Sequence, residues 1–332
     1  MASLLTTRIL RPVATAFLGL MLAVVLAGCD QRELCYDHNH TANVRIAFDW
    51  QYAQKANVEG MTVLFYNEDD PSADPIRYDF AGSEGGMVKL QPGKWRVVAY
   101  NNDTETILLR GLASPSTLEA YTRESSIEEG TQIYTRGDAM PRAKNTESEP
   151  VILEPDPLYA TPEGLLELDV DDASPTLTLY PEVRFEEMCI TIHDVPNLQY
   201  AGQFGASMSG LAPSVFMESG TLGGGAATEA FTCQVIDNTT LQMKFRIFGH
   251  CPDEKSPNSH ILTVYAVLAD GSKWYYPQDV TEQVHSASQE EPSTHRVEID
   301  LYELPIPKPI VNGGGFQPTI DGWQGVEISV EM

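Results

Sequence analysis

Apolar and polar residues alternate along most of the chain, a period of two that is typical of half-buried β-strands. At the start of this pattern Val44, Ile46 and Phe48 occupy every second position. No window of the first half has the 3.6-residue stripe of an amphipathic helix, and the second half continues the alternation. The chain is therefore predicted to be all-β. The alternating segments are residues 43–50, 60–70, 85–111, 165–170, 176–195, 240–249, 260–281, 295–310 and 325–330.

The first 29 residues combine positive charge, an apolar run and a cysteine. Arg8 and Arg11 precede the apolar residues 12–28, which is the order of a secretory signal peptide. Leu26-Ala27-Gly28-Cys29 resembles the bacterial lipobox, so we expect cleavage before Cys29 and a diacylglyceryl group on its thiol. The alternatives are a spanning helix near the lower limit of length and an ordinary signal with an incidental cysteine.

A shift in composition separates two patterned halves. Residues 114–164 hold six prolines and few apolar clusters, which indicates a connection between domains or a long loop. Asp270-Gly271 marks the turn of a hairpin within 260–281. The predicted organisation is signal peptide 1–28, tether 29–42, first β-sandwich 43–113 (alternatively to 160), Pro/Glu-rich connection 114–164 and second β-sandwich 165–332.

The chain of 332 residues has a formal net charge of −26, and loss of a signal that carries Arg8 and Arg11 makes it more negative. Such a surface repels phosphate backbones, so no nucleic-acid partner is expected. It also repels anionic lipid, which leaves acyl chains on Cys29 to hold the protein at a membrane. The other cysteines allow three disulfide pairings and no C-x-x-C zinc motif. They are Cys35, Cys189, Cys233 and Cys251.

Few residues suggest chemistry. Asp37, His38 and His40 lie in the tether, which lacks the preorganisation that a metal site needs, so we expect no metal and no cofactor. Trp274, Tyr275 and Tyr276 could form a glycan platform or could pack on a sheet face beside the hairpin turn. No catalytic arrangement is recognisable, and we expect no enzyme.

Several short motifs resemble those of Bacteroidales surface lipoproteins, in a branch related to the anchor-type subunits of the fimbrillin superfamily. After the lipobox they read RELCYDH, FDW, GMTVLFY, YNNDTE, MSGLA, DGSKWYYPQDVT and DGWQGVEISV. The resemblance implies two tandem transthyretin-like, Greek-key β-sandwich domains, a lipidated amino terminus, and assembly or anchoring of adhesive pili by strand exchange. Cys29 is the one residue that it assigns a role, as the lipidation site.

The leading hypothesis is therefore a non-enzymatic fimbrial anchor, tip or accessory subunit, lipid-anchored and exposed at the outer membrane. Its expected partners are outer-membrane lipid through Cys29 and fimbrillin-type subunits. The alternative is a glycan-binding surface lipoprotein that uses Trp274, Tyr275 and Tyr276. The proline-spaced run at 304–316 is expected to lie along a sheet edge, which it shields or yields to a partner, or else to be a simple connection.

Overall fold

The computed structural model describes residues 41–135, 139–168, 174–250, 259–290, 295–309 and 322–328. These residues form many β-strands in several sheets and two α-helices, α1 (Ile127–Thr131) and α2 (Thr281–Glu290). The all-β prediction is confirmed. No helix in these ranges is long and apolar enough to cross a membrane.

The strands are numbered in chain order. They are β1 (Ala42–Phe48), β2 (Gly60–Asn67), β3 (Ile76–Ala81), β4 (Gly85–Leu90), β5 (Gly93–Asn101), β6 (Ile107–Arg110), β7 (Glu119–Thr122), β8 (Val151–Ile152), β9 (Tyr159–Ala160), β10 (Gly164–Leu168), β11 (Thr176–Leu179), β12 (Glu182–Val183), β13 (Glu186–His193), β14 (Ala201–Leu211), β15 (Ser214–Phe216), β16 (Ala227–Thr232), β17 (Gln234–Val235), β18 (Leu241–Ile247), β19 (Ile261–Leu268), β20 (Lys273–Asp279), β21 (Arg296–Tyr302) and β22 (Trp323–Gly325).

The first core lies between two sheets. A three-stranded sheet in the order β11–β1–β4 packs on a sheet in the order β12–β9–β5–β2–β3, with β10 also paired to β5. Val44 and Ile46 of β1 are buried here against Met61 and Val63 of β2. The alternation predicted for both strands is confirmed, because these residues occupy one face of each strand.

The second core lies between two further sheets. The order of one is β17–β18–β13–β21, and that of the other is β22–β20–β19–β14–β16–β8. Alternate residues of β13, β18 and β21 are buried against β14 and β19. The predicted hairpin is confirmed, since β19 and β20 pair antiparallel and Gly271 has φ +82° in the turn.

The predicted connection at 114–164 contributes to both halves. Strand β7 lies between β6 and β15 in a further three-stranded sheet, and Leu118 and Ala120 cover the other face of β2 and β5. Helix α1 lies on β16, where a Cβ on Gly130 would come within 2.2 Å of the Ala230 carbonyl oxygen. The segment is therefore packed rather than extended through solvent.

Strands from the start of the predicted second domain pair with the first half. Strand β10 pairs with β5, β11 with β1, and β12 with β9. Leu166, Leu168 and Leu179 consequently belong to the first core. The described strands fall within one compact unit, Thr41–Met332, and the division into two domains stays a prediction.

Candidate functional site

The predicted lipidation site, Cys29, lies outside the described residues, as do the signal peptide and all but the last two residues of the tether. The candidate metal ligands of the tether and two further cysteines also lie outside: Asp37, His38, His40, Cys35 and Cys251. Cys189 and Cys233 are free thiols. Burial raises the pKa of the Cys233 thiol, which keeps it protonated and unreactive at neutral pH.

The three aromatic residues predicted as a glycan platform follow one another on β20, and they do not share an exposed face. Successive side chains of a strand point to opposite sides of the sheet. Tyr276 is fully buried in the second core, with Trp274 packed against the same core. Tyr275 lies on the other face, next to the cluster that includes Tyr265 and Trp323. The three residues therefore pack on the faces of the sheet beside the hairpin turn, which was the alternative to a glycan platform.

Strand β20, which carries these residues, is the second strand from one edge of its sheet. Strand β22, close to the carboxy terminus, pairs parallel with β20, so that Lys273 faces Trp323 and Tyr275 faces Gly325. The amide of Val326 donates a further hydrogen bond to the carbonyl oxygen of Tyr275 at 3.1 Å. The chain thus completes its own six-stranded sheet with a terminal strand.

Two close contacts hold β22 in place. The ring of Trp323 packs edge-on against that of Tyr265, with centroids 5.6 Å apart and planes at 78°. Gly325 crosses the Tyr275 ring so closely that a Cβ would lie 2.6 Å from the phenol oxygen. A larger residue at this position would require the Tyr275 side chain to shift.

Tyr265 is itself rigidly placed. Its hydroxyl donates to the carbonyl oxygen of Pro141 at 2.7 Å and lies 3.0 Å from the Ser207 hydroxyl. Burial raises its pKa to about 12, so the ring stays neutral and suited to an aromatic contact. The surface that receives Trp323 is therefore preformed.

The attachment of β22 is nevertheless short and imperfect. It spans three residues of the seven-residue β20, and no described strand continues the pairing past Tyr275. The side-chain nitrogens of Trp323 (Nε1) and Gln324 (Nε2) are buried without a hydrogen-bond partner in the described part of the chain. An unsatisfied buried donor costs about 1–3 kcal/mol, so this strand is held less firmly than a strand with complete pairing.

The proline-spaced run expected at a sheet edge is described over residues 304–309, and residues 310–316 lie outside the described residues. None of residues 304–309 belongs to a strand. Leu304 and Ile306 are buried in the second core, and the Asn197 amide donates to the Ile306 carbonyl oxygen at 2.7 Å. Its role at an edge stays a prediction; in the described chain β22 occupies the edge beside β20.

Comparison with known proteins identifies relatives of the whole chain. The profile of a domain of unknown function, DUF5119, matches residues 28–232. A Bacteroides ovatus protein that carries the name fimbrium anchoring subunit Fim4B is 25% identical over 93% of this chain and 95% of its own length.

Two solved structures are similar to this chain to different degrees. A crystal structure from Bacteroides ovatus, described as an adhesin, superposes with a TM-score of 0.56 and 22% identity over 91% of this chain and 97% of that one. The fimbrial anchor protein Mfa2 from Porphyromonas gingivalis is more distantly similar, with a TM-score of 0.48 and 12% identity over 79% and 90% of the two chains. The first similarity shows a shared fold.

Proposed function

The chain belongs to the DUF5119 family, and on that premise we propose that it is a non-enzymatic fimbrial anchor subunit at the bacterial cell surface. The observation that carries this proposal is the alignment with the fimbrium anchoring subunit over almost the full length of both chains. An alignment of that extent covers both halves of the molecule, so it relates whole proteins rather than one shared module. Tip and accessory roles are variants of the same function.

The anchor itself is the acylated Cys29. The lipobox at residues 26–29 supports lipidation there, and each buried methylene of an acyl chain contributes about 0.8 kcal/mol of membrane affinity. With two or three chains the mature protein stays on the outer membrane, and the fold from Ala42 onward lies outside the cell.

The body of the anchor is proposed to consist of two transthyretin-like β-sandwich domains. Two apolar cores, each between a pair of sheets, support this organisation. We propose a boundary near residue 185, later in the chain than the composition indicated, and the pairing of β10, β11 and β12 with strands of the first half supports it.

We propose that the subunit contacts its fimbrial partner by strand addition at the edge of β20. Exposed strand edges pair readily with another chain, and backbone hydrogen bonds then supply the affinity. Here the native occupant is the three-residue β22, which leaves the part of β20 from Tyr276 to Asp279 without a described neighbour on that side. A partner strand could extend the sheet from that part or replace β22.

Photo-crosslinking tests this interface in intact cells. A photoreactive amino acid at the exposed Asp279, at the end of β20, should capture a fimbrial subunit, because the partner strand passes there. The same group at Glu167, an exposed side chain on β10, is the matched control and should capture none. Equal capture at both positions, or none at Asp279 in fimbriated cells, would contradict strand addition at this edge.

The glycan-binding alternative finds no support among the residues that the structure describes. A glycan platform requires the rings of Trp274, Tyr275 and Tyr276 to be exposed on one face of the sheet, and Tyr276 is fully buried.

A further inference from the structure

Three histidines that are far apart in the sequence come together at one end of the second sandwich. His250 follows β18, His260 directly precedes β19, and His285 lies on α2. The ring centroids are 6.1 Å apart for His250 and His260, 5.9 Å for His250 and His285, and 5.1 Å for His260 and His285. Three of the seven histidines of the chain are therefore neighbours in the fold. These residues are called the histidine triad below.

The central ring has one nitrogen bound and one without a partner. His260 is fully buried, and its Nδ1 lies 3.2 Å from the carbonyl oxygen of Ser209. A carbonyl accepts a hydrogen bond, so Nδ1 carries the proton and Nε2 carries the lone pair. That Nε2 is buried and has no hydrogen-bond partner among the described residues. A buried acceptor without a partner calls for a ligand, which is either a water or a cation.

The second ring has a similar arrangement. His250 Nδ1 lies 2.6 Å from the Oε2 atom of Glu186, and both side chains are mostly buried. A carboxylate that holds one imidazole nitrogen orients the ring and increases the basicity of the other nitrogen. Metal-binding histidines almost always have such a partner, a carboxylate or a backbone carbonyl, behind them. The structure supplies one of each, at Glu186 and at Ser209.

We propose that the histidine triad binds one divalent transition-metal ion, for which Zn²⁺ is the natural candidate. Imidazole nitrogens lie about 2.0–2.1 Å from Zn²⁺, which places the ring centroids of a tetrahedral site roughly 5 Å apart. The observed separations, 5.1–6.1 Å, are equal to this or longer by about an ångström. Among the described residues no three side chains form a ready-made metal site, so binding requires the rings of His250 and His285 to turn toward the Nε2 atom of His260.

The consequence is a cross-link within the fold. The ion joins α2 to the end of β18 and the start of β19, which the sequence connects through residues 251–258 and through the whole β19–β20 hairpin. Three protein ligands leave one position of a tetrahedral ion for water. The role of the ion is structural, because it ties helix α2 to one strand of each sheet of the second core.

Metal titration tests the site in the full-length protein, purified in detergent and stripped with a chelator. His38 and His40 are first changed to Gln, so that the tether cannot bind the ion. Isothermal titration with ZnCl₂ should then give one ion per chain and a higher melting temperature. His285→Gln and His250→Gln should each weaken binding at least tenfold, and bound Co²⁺ should lose its tetrahedral visible absorption.

Three further variants make the outcome decisive. His193→Gln and His295→Gln lie outside the triad and should leave the affinity unchanged. Glu186→Gln keeps all three ligands and should weaken binding about tenfold, as expected for a positioning residue. Absence of Zn²⁺ binding would show that a buried water satisfies His260. Binding that is equal in the parent, His250→Gln and His285→Gln would place the ion elsewhere. Either result overturns the proposal, without bearing on the anchoring function.

Discussion

Trp323 packs edge-on against Tyr265, and this contact fixes the last described strand to the body of the protein. Tyr265 is fully buried and hydrogen-bonded through its hydroxyl, whereas Trp323 is partly exposed and its indole nitrogen has no described partner. A preformed surface therefore receives a weakly held strand. This asymmetry suits an edge that a second chain could occupy.

Replacement of Trp323 by Ala should release β22 locally without unfolding the protein. An aromatic pair of this geometry contributes about 0.5–1.5 kcal/mol beyond its buried area. Hydrogen exchange of the Val326 amide, which donates to Tyr275, should accelerate, because that amide then opens independently of the global unfolding transition. Tyr52→Ala, which removes an exposed aromatic ring paired with Tyr180, is the control and should leave Val326 protected. Unchanged exchange in the Trp323 variant would show that other contacts hold the strand.

Glu229 should make the protein less stable as the pH rises. The side chain is fully buried, and neither carboxyl oxygen has a hydrogen-bond partner among the described residues. Burial, and secondarily the charge of Glu154, raise its pKa well above the usual value, while Arg246 opposes this. The unfolded chain therefore loses the proton first, and the native state loses about 1.4 kcal/mol for each pH unit between the unfolded and the folded pKa.

Glu229→Gln removes this ionisation and should become more stable than the parent as the pH rises from 5 to 8. Urea unfolding at both pH values measures the difference in the free energy of unfolding. Glu167→Gln, at an exposed side chain, provides the baseline. A difference between parent and Glu229→Gln that is the same at pH 5 and pH 8 would contradict the buried, protonated carboxyl.

Glu119 should make the protein more stable as the pH rises, which is the opposite of the effect of Glu229. Its carboxylate accepts hydrogen bonds from Arg110 at 2.6 and 2.7 Å and from the Ser214 hydroxyl. The hydrogen bonds from Arg110, followed by that from Ser214, lower its pKa despite partial burial. The stabilisation is thus complete above the unfolded-state pKa and is lost as the pH falls through the lower, folded-state value. Since β7 carries Glu119 and β15 carries Ser214, the interaction joins the predicted connection to the second half.

Glu119→Gln should cost about 1–2 kcal/mol at pH 7, because Arg110 is half exposed and the ion pair is screened by solvent. Urea unfolding at pH 7 and at pH 3 measures the loss, which should be smaller at pH 3. Glu129→Gln breaks an exposed pair with Arg123 and should have no measurable effect. An equal loss for the two variants would mean that burial of Glu119 has no energetic consequence.

Lipidation should depend on Cys29 alone, because no other residue supplies a thiol at the expected cleavage point. Metabolic labelling with a fatty-acid analogue should mark the parent and leave Cys29→Ala unlabelled. Cys233→Ala, at a buried free thiol, is the control and should be labelled normally. Undiminished fatty-acid labelling of Cys29→Ala would contradict the lipoprotein assignment.

Local sequence patterns predicted where the strands and turns lie. They could not predict which strands pair with each other, because that depends on contacts between distant parts of the chain. The alternation of Val44 and Ile46 and the turn at Asp270-Gly271 depend on neighbouring residues, so both were predictable. The pairing of Leu166 with Trp95 is not local, because the pattern of β10 fits either half equally well. For the same reason the segment at 114–164 was expected to be a connection although it carries packed strands.

The candidate site shows the same limit. The burial of Tyr276 depends on which face of β20 meets the second core, and the edge position of β22 depends on a parallel pairing across about 50 residues. The histidine triad has no spacing motif, since His250, His260 and His285 come together through a loop, a strand end and a helix. In the sequence these histidines are only isolated residues, with no motif that relates one to another.

The most direct test of anchoring is the distribution of fimbriae between cells and culture medium. In the bacterium that produces this chain, shed and cell-bound fimbriae would be quantified by immunoblot in the parent, in a strain lacking the chain, and in a Cys29→Ala strain. The account predicts that most fimbriae remain on parent cells and that both altered strains release them into the medium, at unchanged total amounts. Fimbriae that stay equally cell-bound in all three strains would contradict it.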